Sequence, residues 1–227
     1  MLPLRDNVPT RSRPLVTWAL VAANVLVWVL DQLPDLERSV VDYGYQPCEV
    51  TDACRQIGEP WVVNIFTSMF LHGGWEHLLG NMLFLWIFGN NVEDAMGRVR
   101  FLAFYVVGGL AATAAQTVVT LHWGSAADAA IPNVGASGAI AAVLGAYFVL
   151  LPHARVLTWI VFVLREIPAF VLLGIWFLFQ LWSGSGAVAH PEQGGGVAFF
   201  AHVGGFVFGL ALVRLFAVRR PLEPSYG

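Results

Sequence analysis

Four polar side chains interrupt segments of this sequence that are otherwise apolar. Ser137 lies within Gly135-Ala136-Ser137-Gly138, His202 opens a second apolar run, and His77 and Asn81 are four residues apart in a third. A serine hydroxyl becomes a nucleophile when a neutral imidazole takes its proton. Side chains at i and i+4 share a helix face, so His77 and Asn81 can both donate to an anion, together with the backbone N–H of Ser137. The set indicates acyl transfer by a Ser–His pair.

Each of these residues also has a structural interpretation. A serine in an apolar helix commonly bonds its own backbone, a histidine can be satisfied by a carbonyl, and an asparagine can join two helices. Small residues around them predict close helix packing, which contact between a serine and a histidine on different helices requires. The predicted packing positions are Gly135, Gly138, Gly205 and Gly209.

The composition defines the elements that must position these side chains. Hydrophobic residues make up 57% of the 227 residues, charged residues only 12%, and the mean hydropathy is +0.67. The apolar runs are long and unbroken, which favours membrane-spanning helices over a β-barrel. We predict an all-α fold, a polytopic bundle of six transmembrane helices. The predicted spans are 14–31, 75–90, 100–121, 134–151, 168–183 and 200–218.

Arginine placement predicts the orientation. Ten of the twelve arginines fall in the two terminal segments, in the connection between spans 2 and 3, and in the connection between spans 4 and 5. The segment from Asp31 to Gly74 has seven acids and two arginines, and the other outer loops have no arginine. By the positive-inside rule both termini are cytoplasmic. We therefore predict a cytoplasmic tail over 1–13, a membrane domain over 14–218 with an outer loop at 32–74, and a cytoplasmic tail over 219–227.

This topology brings the four polar residues to one depth. Spans 2, 4 and 6 all run inward from the outer face, and each carries its polar residues near its start. His77, Asn81, Ser137 and His202 are thus predicted to share a cavity in the outer half of the membrane. We expect a multi-pass protein of a bacterial inner membrane, with its active site toward the outer face.

Two short apolar segments and three further side chains carry predictions of their own. Trp61–Leu71 is apolar but too short to span, so it is predicted to lie in or on the outer leaflet, and Val156–Leu164 is predicted to be an interfacial helix or part of a longer span 5. Cys48 and Cys54 favour a local disulfide, with free thiols or a metal site as alternatives. His72 is a candidate partner of the His77 region. No metal site and no cofactor are expected.

At these residues the chain resembles the rhomboid family of intramembrane serine proteases. The resemblance extends from about Trp61 to Gly209. It rests on His77-x-x-x-Asn81 within HGGWEHLLGN, on Gly135-x-Ser137-Gly138, and on Ala201-His202-x-x-Gly205-x-x-x-Gly209, in that order.

The resemblance implies specific roles. Ser137 would be the nucleophile, His202 the general base, and His77 and Asn81 would line an oxyanion hole with the Ser137 N–H. It also implies single-pass membrane proteins as substrates, within a lipid bilayer. No nucleic-acid partner is expected.

Two positions differ from the family pattern. Many rhomboids have a Trp-Arg pair in the first outer loop, whereas this chain reads Trp61-Val62-Val63-Asn64, and Ala141 replaces an aromatic residue that stacks on the histidine in some members. The imidazole is then braced by Phe206, Phe200 or an aromatic residue of another span. The alternatives are a catalytically silent relative that binds and escorts membrane proteins, and a small transporter or channel that uses the histidines.

Overall fold

The chain folds into a helical bundle with a small sheet at one end. The structure is a computed structural model that describes residues 1–56, 58–189 and 198–224. The α-helices are α1 Leu15–Val27, α2 Leu36–Tyr43, α3 Trp61–Thr67, α4 Trp75–Met96, α5 Arg98–Trp123, α6 Ala126–Ala129, α7 Ser137–Leu150, α8 Ala169–Ala189 and α9 Phe199–Phe216. A π-helical turn, Trp28–Gln32, extends α1, and 3₁₀ turns occupy Pro47–Thr51 and Ser68–Phe70. The strands are β1 Leu2–Asp6, β2 Arg155–Ile160 and β3 Val163–Pro168.

Four helices within the described residues are long and apolar enough to cross a bilayer. They are Leu15–Gln32, Arg98–Trp123, Ala169–Gly186 and Phe199–Phe216. The helix α7 has only 14 residues, a length of about 21 Å, which is shorter than a typical hydrocarbon core. The helix α4 has 22 residues but carries three acids, Glu76, Glu93 and Asp94. Length and composition alone therefore support four of the six predicted spans.

The short helix α7 lies at the centre of the bundle. Ten of its residues are buried, and it packs most extensively against α9. A Cβ at Gly205 would overlap the carbonyl oxygen of Gly138, and a Cβ at Gly209 would overlap that of Ala142. Close approach of these two backbones thus depends on glycine at both positions, and it fixes the distance between the starts of α7 and α9.

Two buried acids at the end of α4 hold the start of α1. The Glu93 carboxylate accepts bonds from the backbone N–H groups of Val16 and Thr17 at 3.1 and 2.8 Å, and from the Thr17 hydroxyl at 2.8 Å. The neighbouring Asp94 forms an ion pair with Arg11 at 3.1 Å. A carboxylate at a helix N-terminus satisfies free N–H groups and interacts favourably with the helix dipole. The start of α1 and the end of α4 therefore lie together.

The three-stranded antiparallel sheet, in the order β1-β2-β3, corrects the all-α prediction. The stretch Val156–Leu164, predicted to be helical, forms most of a hairpin, with Ile160 paired to Val163. Its two-residue turn has Val161 at φ 53°, in the left-handed region that β-branched residues rarely adopt. Because hairpin turns are usually marked by Gly or Asn, this turn had no recognisable sequence signal. The strand β1 lies within 1–13, the segment predicted to be a cytoplasmic tail. Of the other predicted tail, 219–227, residues 225–227 lie outside the described residues.

Asp6 attaches β1 to the base of the bundle. Its carboxylate accepts bonds from the Tyr147 hydroxyl and the Asn91 side-chain amide, each at 2.7 Å. Burial raises the pKa of the Asp6 carboxyl above its usual 3.8, although these bonds and one from the Val8 N–H oppose the shift. The folded state thus binds a proton more readily than the unfolded chain. At neutral pH the buried charged carboxylate lowers the free energy of unfolding. This destabilisation is lost as the pH falls through the raised pKa of the folded state.

We therefore expect the docking of β1 to strengthen as the pH falls from about 7 toward about 4, and the Asp6→Asn variant to lack this dependence. Hydrogen exchange of the β1–β2 amides at several pH values measures it. A difference between wild type and Asp6→Asn that stays constant over this range would contradict the assignment.

The outer loop is held to the helices by backbone and side-chain bonds. Cys48 and Cys54 form a disulfide, as the sequence favoured. The Tyr45 backbone pairs with Asn133 just before α7, and the Tyr45 hydroxyl bonds to Thr117 of α5 at 2.9 Å. The apolar stretch Trp61–Leu71 within this loop folds as α3 and the 3₁₀ turn Ser68–Phe70. These bonds tie the outer loop to the segment that leads into Ser137.

Gln32 holds the segment before α4 through two hydrogen bonds to the His72 backbone. Its side-chain amide donates to the His72 carbonyl at 2.9 Å and accepts from the His72 N–H at 2.8 Å. We expect Gln32→Ala to lower the free energy of unfolding by about 1–3 kcal/mol, because it leaves buried backbone groups without partners. Denaturation in detergent micelles measures this. Gln56→Ala, at an exposed glutamine of the same loop, is the matched control and should leave stability unchanged.

Candidate active site

Ser137 and His202 are in direct contact. The serine is the first residue of α7, the histidine lies in the first turn of α9, and Ser137 Oγ is 2.7 Å from His202 Nε2. This contact follows from the glycine-mediated packing of the two helices. Two side chains 65 residues apart in sequence thus have the geometry in which an imidazole can take the proton of a hydroxyl.

The segments before both residues are fixed by hydrogen bonds. The Gly135 N–H donates to the Ser68 carbonyl at 2.8 Å, just ahead of the serine. The Gln116 side-chain oxygen, on α5, accepts from the Phe200 and Ala201 N–H groups at 3.0 and 3.2 Å, at the start of α9. The positions of the hydroxyl and the imidazole are therefore set by neighbouring helices as well as by their own.

His77 lies next to the serine. A Cβ at Gly135 would come within 2.9 Å of the His77 ring, and Gly135 has φ +133°. Gly135 was grouped with the helix-packing glycines, but it precedes α7 and makes room for this ring instead. The His77 Nδ1 accepts a bond from the Gly73 N–H at 3.2 Å, so the ring proton of a neutral His77 is on Nε2, where it can be donated.

Asn81 has a buried side-chain amide nitrogen that no described residue bonds. It is 8% exposed, and within the described residues its Nδ2 has no hydrogen-bond partner. A buried donor without a partner is costly unless a ligand or water satisfies it. Asn81 lines the same cavity as Ser137, His77 and His202, which makes its side-chain amide a candidate donor in that cavity.

The cavity has a volume of about 480 Å³ and lies between α4, α7, α8 and α9. Its walls are mostly apolar below the polar groups, with Phe84, Ile140, Leu144 and Trp176 among them. A space of this size can hold an extended peptide segment together with water. Its polar lining comprises Glu76 and Asn133 besides the four candidate site residues.

The imidazole of His202 is braced by α8. The Trp176 ring lies 5.8 Å from it, tilted by 40°, and Trp176 also packs against Phe206. The Gln180 side-chain oxygen is 2.7 Å from His202 Nδ1. An aromatic residue of another span was one of the predicted braces, whereas Gln180 was not predicted. The sequence did indicate that Gln180 needs a partner, because an amide within an apolar span is costly unless it is hydrogen-bonded.

His72, the predicted partner of the His77 region, is fully buried against it. The two rings are 5.1 Å apart in an edge-to-face arrangement, and neither ring nitrogen of His72 has a hydrogen-bond partner among the described residues. No group of three or more His, Cys, Asp or Glu side chains in that part of the chain is arranged to hold a metal ion.

Comparison with known proteins identifies the class to which this helical bundle belongs. Residues 59–219 match the family described as Rhomboid domain. Rhomboid protein 1, mitochondrial, of Saccharomyces cerevisiae is 31% identical over 204 residues, covering 88% of this chain and 53% of the yeast protein. RHOMBOID-like protein 1 of Arabidopsis thaliana is 30% identical over 247 residues, covering 95% of this chain and 57% of the plant protein. The chain belongs to the rhomboid family, whose members are generally intramembrane serine proteases.

The same comparison corrects the predicted location. Besides the yeast protein, the bovine presenilin-associated rhomboid-like protein, mitochondrial, is 28% identical over 197 residues, covering 84% of this chain and 46% of that relative. The prediction of a bacterial inner membrane is wrong by this comparison, since relatives with mitochondrial names point to a mitochondrial membrane. The chain spans about half the length of the yeast and bovine relatives.

Proposed function

We propose that this chain is an intramembrane serine endopeptidase that hydrolyses peptide bonds in or beside the transmembrane segments of single-pass membrane proteins. The observation that carries the proposal is the 2.7 Å bond between Ser137 Oγ and His202 Nε2. Supporting it are membership of a family of proteases and a cavity next to the pair that can accept a peptide.

In the proposed mechanism the first half-reaction forms an acyl-enzyme. Ser137 Oγ attacks the scissile carbonyl carbon while its proton passes to His202 Nε2. The carbonyl oxygen becomes an oxyanion that accepts bonds from the Ser137 N–H, from Nε2–H of His77 and from the Asn81 amide. His202 then gives its proton to the leaving nitrogen, and the C–N bond breaks.

The second half-reaction restores the enzyme. A water molecule attacks the acyl carbon while His202 takes its proton, and the C–O bond to Ser137 breaks as that oxygen is reprotonated. The apolar walls of the cavity limit the water that reaches the site, which strengthens the electrostatic interactions within it.

We further propose six membrane crossings, with α4 and α7 added to the four long apolar helices. Contacts of the two terminal segments support an even number of membrane crossings. Arg11 of the N-terminal segment pairs with Asp94 at the end of α4, and the Val218 and Arg219 N–H groups donate to the Ala95 carbonyl beside it. The tail 1–13 and the described part of the tail 219–227 would then lie on the face opposite Ser137, flanking a membrane domain over 14–218. By its relatives, the membrane is mitochondrial.

Covalent labelling tests the proposal. The purified chain in phospholipid vesicles is treated with a fluorophosphonate, which reacts with activated serines, and the adduct is located by mass spectrometry. An adduct on Ser137 of the folded protein, absent after denaturation, is expected. Folded protein that acquires no adduct and cleaves no single-pass substrate would overturn the proposal, and binding of such a substrate without cleavage would then favour the escort function.

A further inference from the structure

Gln180 is a polar side chain in the otherwise apolar stretch Ala169–Trp182 of helix α8. It is 6% exposed, and its side-chain oxygen lies 2.7 Å from Nδ1 of His202, on the side of the ring opposite Ser137. We propose that Gln180 is a positioning residue: its amide oxygen accepts the Nδ1–H bond of His202 and so keeps Nε2 free to take the proton of Ser137. This inference rests on the proposed function of the Ser–His pair.

The chemistry of the ring gives the reason. A neutral imidazole carries one proton, on Nδ1 or on Nε2, and only the nitrogen without it can act as a base. An amide oxygen has no proton to donate, so a 2.7 Å contact with it requires the proton on Nδ1. The lone pair of Nε2 then faces Ser137 Oγ. With the proton on Nε2 instead, the imidazole could not accept the serine proton.

His77 shows the opposite arrangement within the same cavity. Its Nδ1 accepts from a backbone N–H, so its Nε2 carries the proton. The two histidines are thus held in opposite tautomers by neutral groups, one an amide oxygen and the other a peptide N–H. This matches their separate roles, since one must accept a proton and the other must donate a hydrogen bond.

Serine proteases with a catalytic triad use a carboxylate at the position that Gln180 occupies. A carboxylate also stabilises the imidazolium by charge, whereas a neutral amide fixes its orientation with a smaller electrostatic effect. Among the described residues, His77 of α4 is the titratable neighbour of His202, and the carboxyl-bearing Glu76 of α4 lines the same cavity. Ser137 and Gln180, which contact the ring, and Gln116, which bonds the backbone just before it, are uncharged.

Two substitutions separate positioning from packing. Gln180→Met keeps the length of the side chain but removes the acceptor, and Gln180→Glu keeps the acceptor and adds charge. We expect Gln180→Met to lower kcat by about 10- to 100-fold, with KM changed by no more than about twofold, because the base is misoriented while the cavity is intact. In Gln180→Glu, kcat should stay within about tenfold of wild type and the acidic limb of the pH–rate profile should move by roughly 1–3 units to higher pH, since a carboxylate favours the imidazolium.

A spectroscopic readout makes the test independent of turnover. In ¹⁵N NMR of histidine-labelled protein, His202 should be the Nδ1–H tautomer in wild type and a mixture in Gln180→Met. The control is Ser185→Ala, a change at an exposed position of the same helix, which should alter neither kcat nor the tautomer. Wild-type kcat and tautomer in a folded Gln180→Met variant would overturn the inference, as would equal losses in Gln180→Met and Gln180→Glu with an unchanged pH profile.

The two proposals fail in different ways. If wild type neither reacts with the fluorophosphonate nor cleaves a substrate, the proposed function fails, whatever the tautomer of His202. If wild type is active and Gln180→Met matches it, only the positioning role fails.

Discussion

Ser137→Ala and His202→Ala should each lower the rate of substrate cleavage by about 10⁴-fold or more. The first change removes the nucleophile, and the second removes the only group within hydrogen-bond distance of Ser137 Oγ, in the described part of the chain, that can take its proton. Because the two residues act as one unit, the double variant should be no slower than the slower single variant. Cleavage of a single-pass membrane protein in vesicles, followed with time, measures these rates.

A matched control separates catalysis from folding. His122 lies at the end of α5, exposed, with its ring bonded to the Val118 carbonyl, so His122→Ala removes an imidazole that touches none of the reacting groups. This variant should cleave at the wild-type rate. Cleavage by Ser137→Ala at more than a hundredth of that rate, from folded protein, would rule out Ser137 as the nucleophile.

The second large effect is expected at the oxyanion donors. His77→Ala and Asn81→Ala should each lower kcat by roughly 10- to 1000-fold, because each removes a donor that acts most strongly on the charge formed in the transition state. KM should change much less. The measurement is kcat and KM for one substrate across the wild type, both single variants and the double variant.

Comparison of the variants shows whether the donors share one anion. Losses in the double variant that differ from the product of the single losses indicate coupling, as is expected for two donors to one oxygen. Leu79→Ala, at an exposed position between them on α4, is the matched control and should leave kcat unchanged. Unchanged kcat in the double variant would remove His77 and Asn81 from the site.

The sequence was informative where function requires chemical groups inside apolar segments. Ser137, His202, His77 and Asn81 could be selected because each is polar, lies near the start of a predicted span, and falls on a span of the same direction. Their convergence on one cavity followed from topology alone. Their roles in catalysis remain predictions.

The glutamines were missed for a physical reason. Gln32, Gln116 and Gln180 are single amides in apolar surroundings, and each bonds to a group that is distant in sequence. A sequence shows that such an amide needs a partner but not which one, because the partner depends on the packing of two helices. The contact of Gln180 with His202 could therefore not be predicted before the structure was known, although an aromatic brace from another span was.

The sheet was not predicted because the residues in its hairpin turn and in its first strand are atypical of turns and strands. The Val161-Phe162 turn lacks the glycine or asparagine that marks a hairpin, and the apolar residues around it are equally suited to a helix. The strand β1 is short and contains Pro3, which disfavours a strand interior. In this region tertiary pairing outweighs local preference.

The pairing of β1 with β2 has a consequence for how the protein is made. Leu2 and Asp6 pair with Trp159 and Val156, which the ribosome adds roughly 150 residues later. The first strand therefore has no partner while the serine-bearing helix and the helices before it are synthesised. Closure of the sheet is thus a late event in biogenesis, and a chain released before residue 156 cannot complete it.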